Sequence, residues 1–408
     1  MASAEAPRAR SRIELIDVAR GAGMLLVFLS HFLEAYYHSF PEPRPQLYKI
    51  FTRISTPAFM CVSGLTLAVL FDRNRDRFAP TRERLIDRGL FLVFVGHPLF
   101  LISYYFTQDG SLGDTLRVVF VTDAIGFAVV AGALLIARVG PRARLALGLT
   151  LLATAWVATA LWNPPIPSVA WRLKDLLVGE WRDVWLSYNF PPVPWFGVYL
   201  VASAAGAVFA RAHREGNEAK LPRQTVALGL VLLAAGVVVH FALRALAGAT
   251  SATAAHLGAL DHFASPHEKL PPSPVFLLTY VGITALLLAG LMRALGGSKL
   301  GRTFAWYVLP FGRNSLPAFV MQSYVYFVAV QLLPRPPQVL LPLYFLATVI
   351  VLRAAVNFWE RKKLNRFLTV GYPALFRRSA AGAGASAAAA DVRPVAPTTP
   401  PEAPRPLS

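Results

Sequence analysis

Charge is scarce in this chain. Only 15% of its 408 residues are Asp, Glu, Lys or Arg, against 55% hydrophobic, and the mean hydropathy is +0.49. A soluble domain carries about 25% charge, so the composition excludes an ordinary soluble globule and implies an integral membrane protein. Acidic residues are the scarcer sign, 22 against 40 basic, for a formal net charge of +18. The basic residues sit in short clusters between apolar runs, as the positive-inside rule produces, and this argues against a nucleic-acid partner. Cysteine is nearly absent: Cys61 stands alone in an apolar stretch, which excludes an intrachain disulfide and a thiolate metal cluster. No repeat of fixed period occurs, so a transporter built from internal repeats gains no support.

What the chain does have is apolar runs of about 20 residues, the length that crosses a bilayer as a helix. Ten candidate spans fall at 15–37, 54–71, 89–107, 116–138, 143–162, 192–211, 224–246, 274–296, 312–333 and 339–358. The expected fold is therefore an all-α polytopic membrane protein with about ten transmembrane helices. Arg73, Arg75, Arg77, Arg82, Arg84 and Arg88, then Arg142 and Arg144, then Arg214, Lys220 and Arg223, then Lys299 and Arg302 occupy alternate loops. The intervening loops are poorer in basic residues, which places both termini in the cytoplasm. Arg8, Arg10 and Arg12 precede the first run as in a signal peptide. Charged residues inside that run and the lack of a small-residue cleavage site favour a retained span. The domain expectation is a disordered cytoplasmic arm over 1–11, a transmembrane domain over 12–367 and a disordered Ala/Pro-rich cytoplasmic tail over 368–408.

Two connections on the side opposite the termini are long. The fifth, 163–191, carries Trp171, Trp181 and Trp185 just after Trp162; such a set reads as an interfacial aromatic belt or as a lid over an acceptor site. The seventh holds His256, Asp261, His262, His267 and Glu268, whose spacing fits no compact zinc signature, so no metal is expected.

The first span carries Asp17, Arg20, His31 and Glu34. Ionisable groups at membrane depth are costly unless paired or wetted, and so point to function. Arg20 and His31 lie roughly 16 Å apart along one helix and about 20° apart around it, on one face at two depths. Arg20 is placed at the cytoplasmic mouth, where a guanidinium suits phosphate or carboxylate, with Asp17 to orient it; the alternative is a snorkelling arginine that only fixes topology. His31, with the Glu34 carboxylate one turn on to steer it and set its tautomer, has the makings of a general base for a hydroxyl or amine, against the alternative of a hydrogen-bonded structural histidine. His97, in Gly96-His97-Pro98, fits a polar plug at a kink equally well. Arg84 and Arg88, four apart before the third span, either clamp the phosphates of a nucleotide-type donor or merely mark topology.

Asp17-Val18-Ala19-Arg20-Gly21 followed by Ser30-His31 resembles the opening of the integral membrane acyltransferase superfamily. That group includes the acyltransferase-3 proteins and the heparan-alpha-glucosaminide N-acetyltransferase catalytic domain. Further blocks are similar in the same order: Pro57 through Ser63-Gly64; Pro194-Trp195 with Gly197 and Gly206; Lys269-Leu270-Pro271-Pro272-Ser273 with Tyr280 and Gly282; and Gly312-Arg313-Asn314-Ser315-Leu316-Pro317. The resemblance implies a membrane-bound acyltransferase moving an acyl group, in first expectation acetyl, from cytoplasmic acyl-CoA to a hydroxyl or amine of a carbohydrate or cell-envelope acceptor. It implies His31, Glu34 and Arg20 as catalytic residues and Arg20, Arg84, Arg88, Arg313 and Ser315 as donor-binding residues. Trp195, Lys269, Ser273 and Tyr280 would bind the acceptor. Arg313, Asn314 and Ser315 would also supply donors to a developing oxyanion. The bacterial cytoplasmic membrane is the expected location, and a homodimer is compatible with the relatives. Two positions depart from the pattern: Ser30 stands where nearer relatives have an acidic residue, and Gln322 where many have a histidine, which puts a two-histidine mechanism in question. The rival classes are a proton-coupled transporter, whose path the same buried Arg and His would line, and a non-catalytic membrane partner.

Overall fold

The computed structural model describes residues 8–39, 46–105, 111–249 and 254–372. In chain order its helices are α1 (Arg8–Ser39), α2 (Gln46–Arg73), α3 (Phe78–Phe91), α4 (His97–Tyr105), α5 (Leu112–Thr115), α6 (Val121–Leu135), α7 (Pro141–Leu161) and α8 (Val169–Val178). There follow α9 (Pro192–Arg214), α10 (Leu221–Ala249), α11 (Ala254–Ala264), α12 (Pro274–Gly297), α13 (Lys299–Arg313), α14 (Ser315–Tyr324) and α15 (Leu341–Arg361). The one sheet among the described residues is a parallel pair, β1 (Val118–Val119) beside β2 (Tyr188–Asn189), with Val118 opposite Tyr188.

Among the described residues eight helical stretches are long and apolar enough to cross a membrane, and they coincide with eight of the ten expected runs. The other two runs form the shorter apolar helices Val121–Leu135 and Ser315–Ala329, and each is shortened for a local reason. The first begins late because the Asp123 carboxylate accepts the Phe120 backbone N–H at 2.8 Å and caps it. The second is cut from α13 at Asn314, whose φ of −119° and ψ of 43° leave the helix. The Asn314 side chain holds that break, donating to the Pro310 carbonyl at 3.1 Å and accepting from Asn365 at 2.8 Å.

α1 lies at the centre, packed against α2, α13 and α14. Helices in lipid associate through close contact where small residues allow it. A methyl group added at Gly21 would overlap the Val308 carbonyl of α13, and one at Gly312 would overlap the Asp17 carbonyl of α1. The glycines on either side thus bring the two backbones together, which explains the glycine that follows Arg20 in the opening motif. Gly64 does the same for α2 against the Tyr199 carbonyl of α9. Beyond this seam the centre is aromatic, with Phe28 edge-on to Phe311 at 5.1 Å and Phe32 against Tyr326 at 5.9 Å.

The two long connections are built segments. In the fifth, Asp175, 1% exposed, accepts the backbone N–H groups of Trp185 at 2.7 Å, Leu186 at 2.8 Å and Glu180 at 3.2 Å. The Asn189 amide donates to the Asp175 carbonyl, and the buried Lys174 pairs with Glu180 at 2.6 Å. In the seventh, Ser273 caps α12 by accepting from Phe276 N–H at 2.9 Å while donating to the Ser265 carbonyl at 2.6 Å. His262 and Trp156 donate to the Pro271 and Pro272 carbonyls at 3.1 and 3.0 Å, so this loop presents Lys269 from a fixed frame.

One compact unit runs from Met1 to Val370. α1 opens at Arg8, inside the stretch expected as an N-terminal arm, and Val370 donates to Asp87 at 3.2 Å, just past the expected start of the tail. A second unit runs from Gly371 to Ser408, of which only Gly371 and Tyr372 are described. Residues 1–7, nearly all of the expected tail and the His256 side chain lie outside the described residues.

Candidate functional site

His31 opens onto a cavity of about 170 Å³ at the loop end of α1. Its wall includes Glu34 from α1, Gln322 and Phe319 from α14, Tyr188 and Phe190 from the fifth connection, and Lys269 from the seventh. The imidazole is held on three sides: Phe319 lies edge-on with its centroid 5.8 Å away, Phe327 is tilted at 5.1 Å, and Nδ1 is 2.9 Å from Gln322 Oε1. An amide oxygen only accepts, so Nδ1 carries the proton and Nε2 keeps its lone pair, the tautomer a general base requires. The residue that sets this tautomer is Gln322, 291 positions away in sequence. Glu34, expected in that role, instead lies on the cavity wall, where its charge acts on both His31 and Lys269. Ser30, in the place of an acidic residue, donates to the Thr52 carbonyl at 3.3 Å and so ties α1 to α2.

Arg20 opens onto a second cavity, about 150 Å³, at the basic end of α1. Arg88, Arg313 and Ser315 also line it, and Arg20 donates to the Ser315 hydroxyl at 2.5 Å. Asp17 is near enough to act on both Arg20 and Arg313. Ser315 and Leu316 begin α14, so the first turn of that helix faces the same space as the arginines. Three guanidinium groups and a helix N-terminus together suit a polyanion such as phosphate.

Phe59, Ile125 and Phe319 line both cavities, so a thin apolar layer divides them. Arg20 stands on one side of it and His31 on the other, on the same face of one helix.

The structure does not bring every expected residue to these walls. Arg84 acts on Arg88 as a like charge but lines neither cavity. Trp195 is fully buried between Phe190 and Phe276, and Tyr280 packs against Phe276 at 4.9 Å. The Ser273 hydroxyl is consumed as the α12 cap. His97 donates to Asp123 at 2.8 Å and lies off both cavities. Among the described residues no group of three His, Cys, Asp or Glu side chains could hold a metal ion. The fifth connection closes the loop-end cavity with Tyr188 and Phe190, while its tryptophans serve packing: Trp171 donates to the Asp183 carbonyl at 2.8 Å and Trp181 lies under Arg182. Gln322, Tyr188 and Phe190 were not singled out for the site in the sequence reading. The only available signal was the unusual glutamine at position 322.

Lys269 rests its ammonium over the Phe190 ring at 4.9 Å. Burial lowers its pKa from 10.5 to about 8, with Glu34 opposing and Arg53 adding to the shift. A lysine depressed in the folded state is destabilising while both states are protonated, and the cost fades as pH rises from about 8 to 10.5. Lys269→Met is therefore expected to melt above the wild-type protein in detergent at pH 7, the gap narrowing through that window. A gap independent of pH would contradict the assignment.

A search of curated proteins finds no match to this chain. The family described as heparan-alpha-glucosaminide N-acetyltransferase, catalytic, matches residues 12–239, more than half of the chain and the part that carries Arg20, His31, Glu34, Arg88, Tyr188 and Phe190. The chain belongs to the catalytic-domain family of the heparan-alpha-glucosaminide N-acetyltransferases, a family of membrane acetyltransferases.

Proposed function

We propose that this protein moves an acyl group, acetyl in first instance, from acyl-CoA entering the Arg20 cavity to a hydroxyl or amine of a carbohydrate or cell-envelope acceptor in the His31 cavity. The observation that carries this reading is the pair of cavities meeting end to end at Phe59, Ile125 and Phe319, with Arg20 and His31 on opposite sides. The positive-inside rule favours a cytoplasmic opening for the Arg20 cavity, where acyl-CoA is available. Arg20, Arg88 and Arg313 with the first turn of α14 hold the donor phosphates. The roughly 16 Å between Arg20 and His31 is spanned by the pantetheine arm, whose thin chain suits the apolar layer.

In the reaction His31 Nε2 takes the proton of the acceptor as its oxygen or nitrogen attacks the thioester carbonyl carbon. The carbonyl electron pair moves onto oxygen, and the intermediate collapses with cleavage of the carbon–sulfur bond. The departing thiolate takes the proton back from the imidazolium. Lys269 and Glu34, opposite charges on the same wall, position the acceptor.

The test is purified protein in detergent with radiolabelled acetyl-CoA and glucosamine or water as acceptor. Wild type is expected to transfer label, and Arg20→Ala to raise KM for acetyl-CoA about 10- to 100-fold, the worth of one charge-assisted pair. An unchanged KM would remove Arg20 from the donor site. No transfer, together with pH-gradient-driven uptake into vesicles, would establish a transporter instead.

A further inference from the structure

We infer that Gln322 is a catalytic residue, whose amide N–H donates to the acyl carbonyl oxygen as negative charge develops on it; this rests on the acyl-transfer reading above. Gln322 is 0% exposed, yet it lines the cavity that holds His31. Its Oε1 is occupied by the His31 Nδ1 proton at 2.9 Å, while its Nε2 is buried with no partner among the described residues. A buried amide N–H left without an acceptor costs about 1–3 kcal/mol, and such a group in a folded protein calls for an explanation. Here the cavity beside it is where an acyl carbonyl must arrive if Nε2 of His31 is to act on the attacking group.

Three of the cavity's serine hydroxyls are otherwise engaged. Ser30, Ser103 and Ser323 all line this cavity, and each already donates to a backbone carbonyl, of Thr52, Phe100 and Val320 respectively. Arg313, Asn314 and Ser315, the oxyanion donors expected from sequence, line the other cavity instead. One side chain therefore couples two duties. Its oxygen fixes the imidazole tautomer, and its nitrogen meets the oxygen to which the thioester electron pair moves. No atom is transferred through Gln322; when the carbon–sulfur bond breaks, the carbonyl re-forms and the hydrogen bond relaxes. A glutamine at this position can do both, because it carries an acceptor and a donor on one planar group.

Two variants separate these duties. Gln322→Met keeps the length and removes both functions; Gln322→Glu restores an acceptor for the His31 Nδ1 proton but no amide N–H. Release of coenzyme A thiol from acetyl-CoA, with glucosamine as acceptor, gives kcat and KM, and melting in detergent reports folding. Gln322→Met is expected to keep KM for acetyl-CoA within about twofold and to lose about 100-fold in kcat, the effect of removing one oxyanion donor. Gln322→Glu is expected to stay as slow. Recovery of wild-type kcat in Gln322→Glu would show that Gln322 only holds His31, and full turnover by Gln322→Met would remove it from the reaction; either overturns the inference. A wild-type protein that releases no thiol overturns the acyl-transfer reading and this assignment with it. If Gln322→Met fails to melt cooperatively, the isosteric Gln322→Glu decides alone.

Discussion

Alanine at His31 is expected to cut acyl transfer by about 10²- to 10⁴-fold, the contribution of a positioned general base, while cooperative melting in detergent persists at a modestly lower temperature because the Gln322 oxygen loses its donor. The ring is fixed by Phe319, Phe327 and Gln322, so the group that accepts the proton is oriented before substrate arrives. Little of that orientation can be supplied by a neighbour. Glu34 stands one turn further along α1 and lines the same cavity, but a carboxylate there reaches the acceptor from another direction and leaves the Gln322 oxygen without its donor. The measurement is label transfer from acetyl-CoA under saturating donor, compared with His31→Gln, which refills the volume and restores a hydrogen bond to position 322 without a base. Both variants should be slow. Wild-type transfer by His31→Ala would place the base elsewhere.

Asp175→Ala is expected to have the largest effect on stability, about 3 kcal/mol or more. The carboxylate accepts three backbone N–H groups, and each one left buried without a partner costs about 1–3 kcal/mol. Lys174, 0% exposed beside it, depends on Glu180, whose own N–H is one of those three. Loss of Asp175 thus loosens the segment that carries Tyr188 and Phe190 to the loop-end cavity. The expected result is a lower melting temperature and faster proteolysis within 163–191, with Asp175→Asn intermediate because one acceptor oxygen survives. Equal protease resistance in Asp175→Ala and wild type would mean that water replaces the carboxylate.

How much of this was legible in the sequence follows from the range of the interactions involved. The spans could be read because a helix in lipid needs an unbroken apolar run, and that signal is local. The relation of Arg20 to His31 could be read because both lie on one helix, where spacing fixes depth and face. Gly21 was visible as part of a motif, but its reason, the Val308 carbonyl of α13, was not. The partner of His31 comes from α14, 291 residues away, and leaves no periodic trace; Glu34, one turn away, was the nearer guess. Trp195, Ser273 and Tyr280 were expected at the site because they share blocks with residues that reach it. Their side chains face the packing side of the same segments. The fifth connection was read from its tryptophans, whereas its cavity-facing residues are Tyr188 and Phe190, placed by a two-residue strand pair that no pattern announces.

The layer of Phe59, Ile125 and Phe319 has one more consequence. A protein hollowed near both ends of its central helix differs from a pore only by what remains between the hollows, here three apolar side chains. Water and ions find no polar foothold in such a layer, so under the proposed route donor and acceptor would enter from opposite ends without opening a leak. The same side chains that admit a slender acyl carrier would keep the ion gradients of the two compartments apart.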